Sequence, residues 1–104
     1  MEKAKIMQFD REVEYSQNGI LSKQIIKNKG GNVTLFAFDK DQALSEHTAP
    51  FDALVQILDG EVKITIAKDA FDLCAGDSII LPSGVPHSVL AKTQFRMLLT
   101  MIKD

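Results

Sequence analysis

The sequence predicts a single all-β domain built as a sandwich or closed barrel. Three observations lead there. Short apolar runs alternate with turn signals roughly every 8–12 residues, the cadence of two-layer β folds. The segment Glu61 to Ala67 alternates cleanly, with Val62, Ile64 and Ile66 on one side and Glu61, Lys63 and Thr65 on the other. No stretch sustains a helical period and no internal repeat is present.

Taken in order, residues 1–19 read as a polar N-terminal arm and residues 20–104 as the barrel, with Asn18-Gly19 marking the turn between them. Ile20 to Lys27 reads as a first strand, and Gly30-Gly31 turns the chain. Val33 to Phe38 follows as a second strand, expected to place Val33, Leu35 and Ala37 in the core and to leave Phe36 and Phe38 seeking cover. Ala53 to Leu58 is a strand followed by Asp59-Gly60, a dipeptide suited to a type I′ hairpin turn. Lys68-Asp69 turns the chain again. Ala70 to Leu73, Ser78 to Leu81, His87 to Leu90 and Arg96 to Ile102 complete the strands. The last is apolar on both faces, as expected of a strand buried on both sides.

Composition narrows the function classes. The chain has 104 residues, 45% hydrophobic and 25% charged, which is ordinary for one globular domain. Its 12 basic and 14 acidic side chains give a net charge of −2, with no basic stripe of the kind that grips nucleic acid. Met1-Glu2-Lys3 opens without the apolar run of a signal peptide, and no segment has the ~20 apolar residues of a membrane helix. A cytoplasmic location is the resulting expectation, with neither nucleic acid nor membrane as partner. The single cysteine, Cys74, has no partner for an intrachain disulfide and lacks the spacing of a zinc or redox pair. No phosphate loop, dinucleotide fingerprint or nucleophile elbow occurs.

Two segments carry more information. Gly76, Pro82, Gly84 and His87 follow one another at the spacing of the second motif of the cupin superfamily, with Ala91 where that motif closes on Asn. Anchored on Gly60, the first motif is degraded: His47 stands at its first His, Ala49 at its second, Ala53 at its Glu, and Asp41 at its opening Gly. The chain therefore resembles a small single-domain cupin. The resemblance implies a double-stranded β-helix, a jelly-roll-like barrel, with His47 and His87 at its mouth. It also implies a site that in metal-binding members holds a divalent ion on three His and one Glu.

The residues support three readings. The leading one is a small-molecule binder whose pocket is formed by His47, His87, Val55, Met97, Leu99 and Met101, two polar groups in an apolar barrel. A methionine stripe is more often plain core packing. The second is a metal-dependent enzyme of oxygenase or isomerase type, with a divalent ion on His47, His87 and a carboxylate from Glu46 or Asp52. Catalytic metals ordinarily take three protein ligands, which these histidines alone do not supply. The third is a dimeric interaction module with a filled barrel. In each, a homodimer is expected, because Phe36, Phe38, Leu54, Leu58, Leu98 and Ile102 lie on strand faces opposite the expected core, and cupins commonly pair through their sheets.

Overall fold

The computed structural model describes residues 3–103 and contains, among them, nine strands and no helix. These are β1 (Ile20–Asn28), β2 (Gly31–Phe38), β3 (Ala43–His47), β4 (Asp52–Asp59), β5 (Glu61–Ile66), β6 (Asp69–Cys74), β7 (Ser78–Leu81), β8 (His87–Ala91) and β9 (Phe95–Ile102). They form two antiparallel sheets, ordered β1-β2-β9-β4-β7 and β3-β8-β5-β6. Eight strands coincide with those read from the sequence. The ninth, β3, was not expected, because Leu44 is its one residue turned away from solvent and its pattern carries no apolar alternation.

The inner faces of the two sheets meet in one core. Val55, Ile57, Phe95 and Met97 come from the first sheet, and Val62, Ile64, Leu73 and Val89 from the second. Val62, Ile64 and Ile66 point inward as expected. Fully burying one such side chain contributes about 1.5–3 kcal/mol, so this shared interior is what holds the sheets together.

β2 faces the opposite way from the sequence expectation. Phe36 and Phe38 lie inside the barrel, and Phe38 stacks on Phe95 with ring centroids 4.6 Å apart and planes 26° apart. Leu35 and Ala37 lie outside. Both faces of β2 are apolar, so alternation alone has no polar side with which to orient it. The cross-strand pairing of Phe38 with Phe95 decides the matter by putting both rings on the face that enters the core.

Part of the outer face of the first sheet is covered by the chain's own N-terminal arm. Met7, Phe9, Val13 and Tyr15 pack over Ile25, Leu35, Ala37 and Leu98. A polar clasp holds the arm there. The Arg96 side chain donates through Nε to the Val13 carbonyl at 2.6 Å and through its guanidinium to Asp59 at 2.6 Å. Tyr15 donates its hydroxyl to the same carboxylate at 2.7 Å, and the guanidinium sits 4.1 Å over the Tyr15 ring. Burial and the Asp59 carboxylate push the Tyr15 phenol well above its ordinary range, so it remains a donor. Two of the six side chains expected to need a second subunit are thus inside the barrel, and Leu98 and Leu58 belong to the cluster under the arm. Leu54 is half-buried, and Ile102 remains 65% exposed.

Asp59-Gly60 also plays a different part from the hairpin expected. β4 and β5 belong to different sheets, so the dipeptide is the corner at which the chain crosses between walls. Gly60 has φ +81°, and a Cβ there would run into the Gln94 carbonyl and lie 2.6 Å from the Phe95 Cβ. Gly76, at φ +94°, has open space where its Cβ would be. Gly60→Ala is therefore expected to cost at least ~3 kcal/mol, because overlap adds to backbone strain, and Gly76→Ala only ~1 kcal/mol. Urea denaturation of the two variants checks this; equal losses would contradict the corner's role.

Candidate functional site

The site is built at one end of the barrel by two loops and a pair of neighbouring strands. Residues 48–51 carry the chain from β3 in one sheet to β4 in the other, and Pro82–Pro86 separates β7 from β8. The loops are tied together. Gly84 donates its N–H to the Ala49 carbonyl at 2.8 Å, and Ser83 donates its N–H to the Asp52 carboxylate at 2.8 Å. At the far end of β3, Asp41 adopts φ +70° where the cupin pattern has Gly. Asp tolerates that left-handed conformation better than most residues. Its N–H reaches the Ala91 carbonyl at 2.9 Å, which sets β3 beside β8.

A bulge then selects which side chain meets His87. The β3–β8 ladder pairs Leu44 with Val89, and its next partners are His47 and His87, with a register shift between them. An unbroken ladder would have set Glu46 opposite His87; the one extra residue in β3 sets His47 there. The two Nε2 atoms stand 3.1 Å apart, with ring centroids at 4.4 Å in an edge-to-face arrangement. His87 is buried, 6% exposed, and His47 is exposed.

With both rings neutral, hydrogen-bond chemistry sets the proton positions. His47 Nδ1 lies 2.7 Å from the Ser45 carbonyl oxygen, a contact that is favourable only with the proton on Nδ1. His47 Nδ1–H therefore donates to Ser45, and the neutral ring offers a bare Nε2. His87 Nε2–H donates to it. His87 Nδ1 faces the Val85 carbonyl at 3.3 Å and donates to it only when the ring takes up a second proton. Burial holds the His87 basicity below the ordinary histidine value; the Val85 carbonyl opposes this and a charge on His47 reinforces it. The pair is a unit that presents an imidazole edge to solvent from the rim of an apolar barrel.

The other residues named from the sequence take distinct places. Val55 and Met97 are close-packed in the core, whereas Leu99 and Met101 are half-buried farther along β9. Met101 is paired with Ala53, the first apolar residue after the 48–51 loop, so it lies at the end of the barrel that carries His47. Ala53 and Ala49 put methyl groups where the family pattern has Glu and His. Asp52 spends its carboxylate on the Ser83 N–H, and Glu46 is exposed on the residue that the bulge displaces. Among the described residues no three His, Cys, Asp or Glu side chains converge on a common point. The donor set of His47 and His87 therefore does not fit the divalent centre that the resemblance implies. The arm clasp of Tyr15, Asp59 and Arg96 was not legible in the sequence, where its members lie far apart.

The family model for the cupin domain matches residues 34–103. The chain is a cupin. Solved structures agree with that assignment. A conserved protein of unknown function from Streptococcus pyogenes is 35% identical, with a TM-score of 0.94 over 100% of this chain and 91% of that one. A cupin superfamily protein from Desulfitobacterium hafniense is 26% identical, with a TM-score of 0.93 over 100% and 95%. A cupin 2 conserved barrel domain protein from Leptotrichia buccalis is 39% identical over 90% of this chain, with a TM-score of 0.87, but the match spans 46% of that longer chain. No protein of curated function matches the sequence. No helix among the described residues is long and apolar enough to cross a membrane.

The depressed basicity of His87 makes this cupin's stability depend on pH. The unfolded chain takes up a proton on this residue near pH ~6.5, and the folded chain only at lower pH. The stabilisation is complete above that value and is lost as pH falls toward the folded pKa. Urea midpoints should drop on acidification from pH ~7.5 to ~5, and drop less in His87→Gln. Equal acid sensitivity in both proteins would contradict the assignment.

Proposed function

We propose that this cupin binds a small organic molecule at the barrel end marked by His47 and His87, with the imidazole pair as its polar anchor. The observation that carries this reading is the 3.1 Å contact between the two Nε2 atoms at the rim of an otherwise apolar interior. Binding sites characteristically combine apolar walls with a few placed polar groups. Half-buried Leu99 and Met101 are the apolar neighbours proposed to meet the ligand; Val55 and Met97 support them from within the core. The metal-dependent reading is not adopted, because Ala49 and Ala53 remove the donors it needs and Asp52 is committed to the 82–86 loop. An NMR screen of small polar metabolites tests the proposal. Saturable shifts at His47, His87 and the 48–51 loop are expected, and should be lost in His87→Gln with the fold retained. Binding that survives His47→Gln/His87→Gln unchanged would contradict it.

Self-association is proposed on narrower ground than the sequence suggested. With the arm covering Leu35, Ala37 and Leu98, the uncovered apolar surface on the β4–β7 side is Ile80, 61% exposed, cross-strand from half-buried Leu54. Light scattering at micromolar concentration should show a dimer that Ile80→Lys shifts toward monomer. A monomeric mass for the unaltered protein would mean that the arm alone provides the cover.

A further inference from the structure

The arm and β1 enclose a groove on the opposite side of the first sheet from the His pair. Its volume is about 400 Å³, within the range of small-molecule sites, and its floor is Met7, Ile25 and Ile26. Ile25 and Ile26 are consecutive, and a regular strand would send them to opposite faces. A bulge between Gln24 and Ile26 breaks the ladder there, so both side chains line the groove. Ile25 is buried under the arm, while Ile26 is left 56% exposed.

Lys3, Lys5 and Lys27 stand around this apolar floor. Among the described residues none of the three is within ion-pair distance of a carboxylate, whereas Lys23 on the same strand is held by Glu12 at 3.1 Å. Ala4, between two of the lysines, has φ +58° and lines the groove with them. Beyond Ile26 the surface continues into a second hollow of about 260 Å³, bordered by Val33, Thr100 and Ile102. From Ile26 through Val33 to Thr100 is two strand spacings, roughly 10 Å.

A cluster of positive charge at one end of an apolar trough complements a molecule with an anionic head and an apolar tail. We propose that this groove binds a free carboxylate amphiphile. Lys3, Lys5 and Lys27 hold the head, and the tail lies over Ile26 toward Ile102. The proposal is independent of the reading of the His pair, and it accounts for two of the large apolar side chains that the fold leaves uncovered.

Decanoate below its micellar concentration is the probe, followed by calorimetry and by amide NMR shifts, with decanol as the neutral control. Saturable binding of decanoate is expected, with shifts in the arm, β1 and the end of β9 and none at His47 or His87. Decanol, the Lys5→Glu/Lys27→Glu variant and the Ile26→Asn variant should each bind about tenfold more weakly, with thermal unfolding of the charge-reversed protein unchanged. Absence of saturable binding would overturn the proposal, as would equal affinity in the charge-reversed protein. Shifts centred on the His pair, or binding to anionic phospholipid vesicles but not to decanoate, would overturn it as well.

Discussion

The barrel interior is filled from both sheets, and within the first sheet the stack of Phe38 on Phe95 is the contact that decides which face of β2 joins that filling. It joins the end of β2 to the start of β9, and Gly60 passes beside Phe95 as the chain crosses from one wall to the other. Once those rings occupy the interior, Leu35, Ala37 and Leu98 must face outward and need a cover of their own. The arm supplies it, and Arg96 locks the arm down from the outer face of β9, the strand that begins with Phe95. The clasp is partly buried, so its ion pair is hydrogen-bonded on several sides at once, unlike an exposed pair worth little.

The same filling determines what kind of site the rim can be. Val55 and Met97 are consumed by the core, whereas Leu99 and Met101 are half-buried farther along β9, toward the end that carries the two imidazoles. Two methyl groups replace the polar donors of the family pattern at Ala49 and Ala53. What remains is one hydrogen-bonded imidazole pair, oriented by the Ser45 carbonyl, against an apolar background. That arrangement can exchange a proton and anchor one polar group. It lacks the convergent donors to hold a cation firmly.

Much of this was legible in the sequence wherever one strand face was polar. Glu61 and Lys63 orient Val62 and Ile64 without ambiguity. β2 has no such guide, and only its register with β9 orients its faces, opposite to the sequence expectation. Asp59-Gly60 announced a positive φ but not that the chain would leave its sheet there. The spacing of Gly76, Pro82, Gly84 and His87 carried the family and one half of the site. The spacing anchored on Gly60 gave His47 as the other half, but not the bulge in β3 that sets it opposite His87, because that strand is too exposed to register as one and nothing local in the sequence announces the extra residue. Tyr15, Asp59 and Arg96 are brought together only by the fold, so no spacing connects them.

The central claim is that His47 and His87 form one hydrogen-bonded unit at the barrel mouth. Long-range proton–nitrogen correlation spectra of the two imidazoles, in protein labelled with nitrogen-15, test it most directly. Near neutral pH the account predicts His47 as the Nδ1–H tautomer and His87 as the Nε2–H tautomer, with the His47 signals responding when His87 takes up a proton. Two rings that average freely between tautomers, with the His47 signals unmoved when His87 takes up a proton, would contradict it.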